Sequence, residues 1–381
     1  MPQAVNILII EPYFTGSHAS WAEGYAHHSG HDVRILHLEG QFWKWRMHGG
    51  AVTLARRFLD EGHNPDVILA TDMLDLTTFL ALTRERTAQT PAALYFHENQ
   101  VTYPWSPGDR DLVHKRDLHY GFINFVSALA ADAVFFNSNY HCQAFLEELP
   151  RLLKHFPDHW ELDSMEKLTD KSRVLHLGFD FERFEKNKPS GPAHGIRAGR
   201  PPLVLWNHRW EYDKNPEDFF QALCALADQG LEFEVAVLGE NFSRSPDVFA
   251  QARERLGHRV VSFGYADSFA EYARWLWDAD ILPVTSRHDF FGMSVVEAVY
   301  CGCYPLLPRR LSYPEIFPPN FYQEFYYDDA DDLITKMAKA FQGIEHMRQT
   351  NLKQRVEEFS WKTMVCRYDE AFESLASGCV S

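Results

Sequence analysis

The sequence predicts an α/β protein made of two doubly wound halves, and three observations carry that prediction. Short runs of Val, Ile, Leu and Phe recur between segments of helical spacing at residues 5–10, 33–38, 66–71, 92–97 and 133–138. The same alternation resumes at residues 203–208, 233–239, 260–264, 279–286 and 303–308. Runs that are apolar on both faces, separated by amphipathic stretches, are what parallel strands buried beneath crossover helices require. The third observation is length: 381 residues exceed the size at which one hydrophobic core normally keeps growing, so two domains are expected.

Taken in chain order, VNILII near the amino terminus has no basic leader and runs into Glu11, so it reads as a first core strand and not as a signal peptide. The strand AALYFH closes on His97, with Glu98 and Asn99 directly after it. Beyond RVLHLGFDFERF comes KNKPSGPAHGIRAGRPP, rich in Pro, Gly and charge, which reads as an interdomain linker. The expected domains are therefore residues 1–190 and 200–360. FGMSVVEAVY and WKTMVCRYDEAFESLA have helical spacing, and the latter, within 361–378, is expected to cross back and brace the first domain.

Composition narrows the function classes. The chain is 45% hydrophobic and 24% charged, with no apolar run near the roughly 20 residues that span a bilayer, so no membrane partner and a cytoplasmic location are expected. A formal charge of −16 argues against indiscriminate nucleic-acid binding, which draws on phosphate neutralisation, but leaves room for a local basic patch. The 6 cysteines are scattered and read as reduced, mostly buried thiols. The 19 histidines show no metal spacing. Asp278-Ala-Asp280 precedes a predicted strand instead of following one, so it reads as a helix end, and the acidic run at 328–332 reads as a solvated helix start. No metal is expected.

Ligands of doubly wound sheets bind outside the carboxyl ends of the strands. Arg209 and Lys214 follow one such end, Gly239 and Glu240 another, and Asp289 a third. A guanidinium fork grips phosphate oxygens bidentately and an ammonium adds a mobile charge, a pair suited to a diphosphate leaving group. Glu297, inside the helix that begins near Phe291, Gly292 and Met293, suits a ribose diol, and the helix start favours an anion. In the first half the corresponding positions hold Pro12 to His18, then His97, Glu98 and Asn99; two sheets presenting these ends to a shared cleft would make one active site. Trp43, Lys44, Trp45 and Arg46 interleave rings with cations. Two readings stand for them: a surface that stacks exposed bases, extended by Arg56, Arg57, His114, Lys115 and Arg116, or an element face packed on the core.

The cationic pair and DFFGMSVVEAVYCGCYP resemble the retaining GT-B glycosyltransferases, whose signature is two acids eight positions apart, here Asp289 and Glu297. The resemblance implies a GT-B fold, two Rossmann-like domains facing a central cleft. It implies that Arg209 and Lys214 bind the donor diphosphate, that Glu297 holds the ribose, and that Asp289 contacts sugar hydroxyls. It places Gly16 in a glycine loop near the diphosphate and His97 near the transferred sugar. The usual first acid is Glu, one methylene longer than Asp289.

A finer match, in IIEPYFTGSH, the Trp43 to Arg46 cluster, YFHENQ, HRWEYDKNPEDFF and FFGMSVVEAVYCGCYPL, resembles the tRNA-queuosine α-mannosyltransferase family. It implies transfer of mannose from GDP-mannose to the cyclopentene diol of queuosine in tRNA, with retention, and makes Ser17, His18, the Trp43 to Arg46 cluster, Glu98 and Asn99 acceptor-side candidates. Other readings remain at this point: a transferase with another soluble or lipid acceptor, a nucleotide-sugar epimerase, and an RNA-binding protein with a relict site. Sequence leaves the oligomeric state open.

Overall fold

A computed structural model describes residues 4–106, 118–189, 199–239 and 246–378. The chain divides into two compact units, Met1–Phe179 with Phe359–Ser381, and Asp180–Glu358. Residues 190–198, in the middle of the Pro- and Gly-rich stretch, lie outside the described residues.

The first unit is built on six parallel strands: β1 (Asn6–Phe14), β2 (Asp32–Glu39), β3 (Val67–Thr71), β4 (Ala92–Phe96), β5 (Ala133–Phe136) and β6 (Ser172–Val174), in the order β2-β1-β3-β4-β5-β6. Every residue of β3, β4 and β5 is buried, which is why those segments are apolar on both faces. The order reverses between β1 and β3, and this switch leaves a crevice at their carboxyl ends.

The carboxy-terminal helix Trp361–Ala376 packs on this first unit. Phe179 and Ser360 pair in parallel just ahead of it. The Trp361 indole lies where a Cβ on Gly24 or Gly178 would be, so the two glycines are required by close packing and not by backbone conformation. Asp369 accepts hydrogen bonds from the Tyr25 hydroxyl (3.1 Å), the Ser29 hydroxyl (2.6 Å) and the Gly30 N–H (2.9 Å). The Tyr368 hydroxyl accepts from Trp21 Nε1 at 2.9 Å.

The second unit has β7 (Leu203–Trp206), β8 (Glu234–Leu238), β9 (Val260–Gly264), β10 (Ile281–Pro283), β11 (Tyr304–Pro308) and β12 (Tyr326–Tyr327), all parallel. Their order, β12-β11-β10-β7-β8-β9, reverses between β7 and β10 and opens a second switch point. The two acidic strings of this unit have structural explanations. Asp278 ends the helix Phe269–Asp278, and the Asp280 carboxylate accepts from the Leu203 N–H (2.8 Å) and from Arg348 Nε (2.8 Å) and Nη2 (3.1 Å). That ion pair is buried and fully hydrogen-bonded, the condition under which a buried pair is tolerated. Asp329 caps the helix Ala330–Gln342, accepting the Asp332 N–H at 2.9 Å.

Candidate active site

At the switch of the second unit the chain leaves β7 through His208 and Arg209, makes a tight 3₁₀ turn over Tyr212–Lys214, and passes through Asn215 in a left-handed conformation (φ 54°) into the helix Pro216–Asp228. Pro216 at the first helical turn is preorganised for that start. The turn aims Lys214 across the switch. Its Nζ donates to the His288 carbonyl at 2.8 Å and lies 3.3 Å from Asp213 Oδ2 and 3.8 Å from Asp289 Oδ2. The backbone closes the same gap, since the Arg287 N–H donates to the Asp213 carbonyl at 2.8 Å. Lys214 and Asp289, expected from the sequence at one site, are therefore brought together. Arg209 is more open and lies 3.3 Å from Glu211 Oε2.

These cations are set among three carboxylates, Glu211, Asp213 and Asp289, and the Lys214 ammonium is held in place before a ligand arrives. Burial alone would raise the Asp289 carboxyl, but Lys214 overcomes it and holds the group below its ordinary value. Burial, reinforced by Lys214, lowers His208 and His288 to about 4, so both rings are neutral near pH 7.

The helix Met293–Tyr300 opens after Gly292, whose φ of 93° is a left-handed conformation. The Tyr313 ring would stand 3.0 Å from a Cβ there, so glycine is needed twice over. The first N–H groups bonded back within this helix are those of Val295 and Val296, leaving the earlier ones at the helix start without an intrahelical acceptor. Phe291 is buried and Met293 half-buried. Glu297, half-buried, accepts the Tyr272 hydroxyl at 2.6 Å. Burial pushes its carboxyl up to about 7, against the lowering effect of Tyr272 and Arg183. Tyr272 was not singled out from the sequence; no spacing links it to Glu297. Gly239 (φ 127°) has another reason for its identity, because the His208 carbonyl oxygen fills the place of a Cβ. Glu240 lies outside the described residues.

In the first unit the β1/β3 switch gathers a second set. Glu11, a carboxylate inside the apolar strand β1, accepts the Tyr13 N–H at 2.7 Å through Oε1 and pairs with His18 Nδ1 at 2.9 Å through Oε2. His18 reaches it from the helix Gly16–His28, whose first residue has φ 50° and open space where a Cβ would be. The His18 ring lies on that of His97, centroids 4.2 Å apart, and Trp21 meets His97 edge-on at 4.7 Å. Asp72, directly after β3, accepts the His97 backbone N–H at 2.8 Å.

Burial alone would lower His18, but Glu11 more than reverses this and raises it to about 9, with Asp72 and Glu98 acting in the same direction. His97 is held well below the ordinary histidine value, first by burial and then by His18 and His141. A charged imidazole thus lies against a neutral one. Glu11, His18 and His97 also form a group with metal-ligand chemistry, their ligand atoms within 4.8 Å of one another. The 2.9 Å between Glu11 and His18 is a hydrogen-bond separation.

The other acceptor-side candidates divide. Ser17 is exposed, and Glu98 is half-buried and accepts from Gln100 Nε2 at 3.1 Å. Asn99 is fully buried and its polar atoms close its own turn: Oδ1 accepts from the N–H groups of Val101 (3.0 Å) and Thr102 (2.9 Å), and Nδ2 donates to Thr102 Oγ1 (3.0 Å). This is a structural position. Trp43 packs against Tyr120 and Trp105, and Lys44 Nζ lies 5.5 and 5.1 Å above the rings of Trp43 and Trp105. Arg46 Nε donates to the Glu39 carbonyl at 3.0 Å. Trp45, by contrast, is 64% exposed and Phe42 75%. The core-packed reading fits Trp43 and the open-surface reading fits Trp45. Arg56 and Arg57 are exposed; His114, Lys115 and Arg116 lie outside the described residues.

Two family models match this chain: tRNA-queuosine alpha-mannosyltransferase N-terminal over residues 6–179, and Glycosyl transferases group 1 over residues 192–356. A tRNA-queuosine alpha-mannosyltransferase of Drosophila melanogaster is 34% identical over 379 residues, covering 96% of each chain. A GDP-mannose-dependent alpha-(1-6)-phosphatidylinositol dimannoside mannosyltransferase of Mycobacterium tuberculosis is 24% identical over 195 residues, 50% of this chain and 49% of that one. Among solved structures, the catalytic domain of Starch Synthase IV from Arabidopsis thaliana, bound to ADP and acarbose, superposes with a TM-score of 0.71 at 12% identity, covering 98% of this chain and 100% of that one. The fold is GT-B.

The Glu11–His18 pair makes stability depend on pH. A histidine whose folded pKa of about 9 exceeds its unfolded value of 6.5 contributes fully below the lower value and loses that contribution as pH rises through the higher one. Urea unfolding should therefore show the midpoint falling between about pH 6.5 and pH 9, with His18→Gln flattening that slope; an unchanged slope in the variant would count against a charged His18.

Proposed function

The chain belongs to the tRNA-queuosine alpha-mannosyltransferase family, and from that premise we propose that it transfers mannose from GDP-mannose to the cyclopentene diol of queuosine at the wobble position of tRNA, retaining configuration at the donor carbon. It is a glycosyltransferase. The observation that carries the finer reading is identity spread over 96% of both chains, donor-side and acceptor-side halves alike. GDP-mannose as the donor is supported by the mycobacterial relative, whose name states that dependence.

In this reading Glu297 accepts hydrogen bonds from the ribose hydroxyls, with Tyr272 fixing its orientation. Arg209, Lys214 and the start of the helix Met293–Tyr300 take the diphosphate. The bond from the mannose anomeric carbon to the diphosphate oxygen breaks, and the charge left on the diphosphate is stabilised chiefly by the two cations. The acceptor hydroxyl attacks on the same face, its oxygen bonding to the anomeric carbon while its proton goes to the departing diphosphate oxygen; this route needs no carboxylate nucleophile. Asp289 orients Lys214 and contacts sugar hydroxyls, and neutral His97 orients the sugar. On the acceptor side Ser17 and His18 lie at the β1 end, and exposed Trp45, with Phe42, offers rings for unpaired bases. A tRNA substrate also fits a cytoplasmic location, and among the described residues no helix is long and apolar enough to cross a membrane.

Lys214→Ala should lower turnover by at least ~100-fold, the scale of losing one preorganised stabiliser. Because Lys214 also ties two turns together, thermal melting of the variant is measured beside its rate; near-normal turnover in a folded variant would refute the assignment. The reaction is proposed to need no metal, so transfer should persist in excess chelator. Loss restored by a divalent cation would overturn this and make Glu11, His18 and His97 a ligand group to test by substitution.

A further inference from the structure

We propose that Asp72 is a substrate-binding residue, its carboxylate and the imidazole of His97 together forming a receptor for two neighbouring hydroxyls on a substrate ring. The identity of the ring rests on the mannosyl-transfer reading; the receptor itself rests on geometry. Asp72 follows β3 directly, on the crevice side of the β1/β3 switch, and is 1% exposed. Its Oδ1 accepts the His97 N–H, but its Oδ2 has no hydrogen-bond partner among the described residues. The same is true of His97 Nε2 and Thr71 Oγ1. Three unsatisfied buried polar atoms at the ends of two adjacent strands are unusual in a folded protein, where such atoms are nearly always paired.

Asp72 helps Glu11 to hold His18 charged, but the His97 N–H that it anchors does not require an acid. An asparagine would accept the His97 N–H as well as an aspartate does, without burying a charge. The backbone is nonetheless held firmly, with the Asp72 N–H donating to the Tyr95 carbonyl (3.1 Å) and Asn124 Nδ2 donating to the Asp72 carbonyl (2.9 Å). The carboxyl group is thus preorganised for a partner that the described residues do not supply.

The surroundings select the chemistry of that partner. Burial, with Glu98 and Glu11, pushes the Asp72 carboxyl well above its ordinary value, and those two acids disfavour a phosphate or carboxylate ligand beside it. The Glu11–His18 ion pair already supplies the neighbouring positive charge. A neutral polyol remains: one hydroxyl donates to Asp72 Oδ2 and the adjacent one meets His97 Nε2. A carboxylate and an imidazole offering acceptors on adjacent strands β3 and β4 match a vicinal diol. Three rings in the proposed reaction carry one; the GDP ribose diol is assigned to Glu297, which leaves the cyclopentene of the acceptor and the mannose of the donor.

The test is steady-state transfer by Asp72→Asn, with GDP-mannose and queuosine-containing tRNA varied separately and donor hydrolysis followed in parallel. Burial holds the Asp72 carboxyl well above its ordinary value, so the bond lost is one to a neutral group, and we expect kcat/KM to fall about 5- to 10-fold with melting unchanged. A fall confined to the tRNA term, with donor KM and hydrolysis at the parent level, assigns the receptor to the acceptor diol. A fall in the donor terms assigns it to mannose hydroxyls, and rates within about twofold of the parent in both overturn the proposal. If that variant does not fold, Asp72→Ser is assayed in the same way, and the same outcomes support or overturn the receptor. A parent chain that transfers no mannose marks failure of the functional reading, a separate result; the receptor is then judged on direct binding of GDP-mannose and of queuosine nucleoside to the parent and Asp72→Asn chains, where a loss of about 5-fold or more for either supports it and affinities within about twofold for both overturn it.

Discussion

The reversal of strand order in a parallel sheet is the constraint from which the chemistry of this protein follows. Where neighbouring strands send their crossovers to opposite faces, the loops at their carboxyl ends part and leave room for a ligand. Each unit has one such place, β1/β3 in the first and β7/β10 in the second, and the chain puts its unusual side chains there. Glu11 and Asp72 belong to the first switch, Lys214 and Asp289 to the second. Burying every residue of the central strands makes these ends rigid, so the polar groups that project from them are held by a hydrophobic frame.

Charge at both switches is arranged before any ligand arrives. Lys214 is anchored by a carbonyl and flanked by two carboxylates, and its field, with burial, keeps His208 and His288 neutral. Glu11 keeps His18 charged while His97, against the same ring, stays neutral. Groups oriented in advance in a poorly solvated place cost little reorganisation during reaction, which is how electrostatic catalysis gains its size. Not every buried ion pair in the chain lies at a switch. Asp280 and Arg348 are equally buried, satisfy one another and the Leu203 N–H, and have only a structural role. Beside the Glu11–His18 pair, by contrast, Asp72 Oδ2 and His97 Nε2 have no partner among the described residues.

The alternation of apolar runs and helical spacing made the strands legible, because that pattern is local and a buried strand must be apolar wherever it lies in the chain. Arg209, Lys214, Asp289 and Glu297 were legible through their place at strand ends and through resemblance. Contacts across the fold were not. Tyr272 meets Glu297 from 25 residues away, Asp72 meets the His97 backbone across 25, and Lys214 meets the His288 carbonyl across 74, none with a spacing that announces it. One missed signal was readable: a glutamate inside the apolar strand β1 demands a buried partner, and His18 is that partner. At Gly239 and Asn99 the structure adds a reason that the sequence did not show, a carbonyl in the place of a Cβ and a turn closed by the Asn99 amide.

The central claim is that this scaffold transfers mannose to a modified base in tRNA, and mass spectrometry of tRNA nucleosides tests it most directly. Bulk tRNA from a queuosine-containing and a queuosine-lacking source is incubated with the protein and GDP-mannose, then digested. One hexose added to the queuosine nucleoside in the first sample, and none in the second, is the expected result. Unmodified queuosine in the first sample, while the protein binds or hydrolyses GDP-mannose, would contradict the claim and leave a sugar-nucleotide enzyme with a different acceptor.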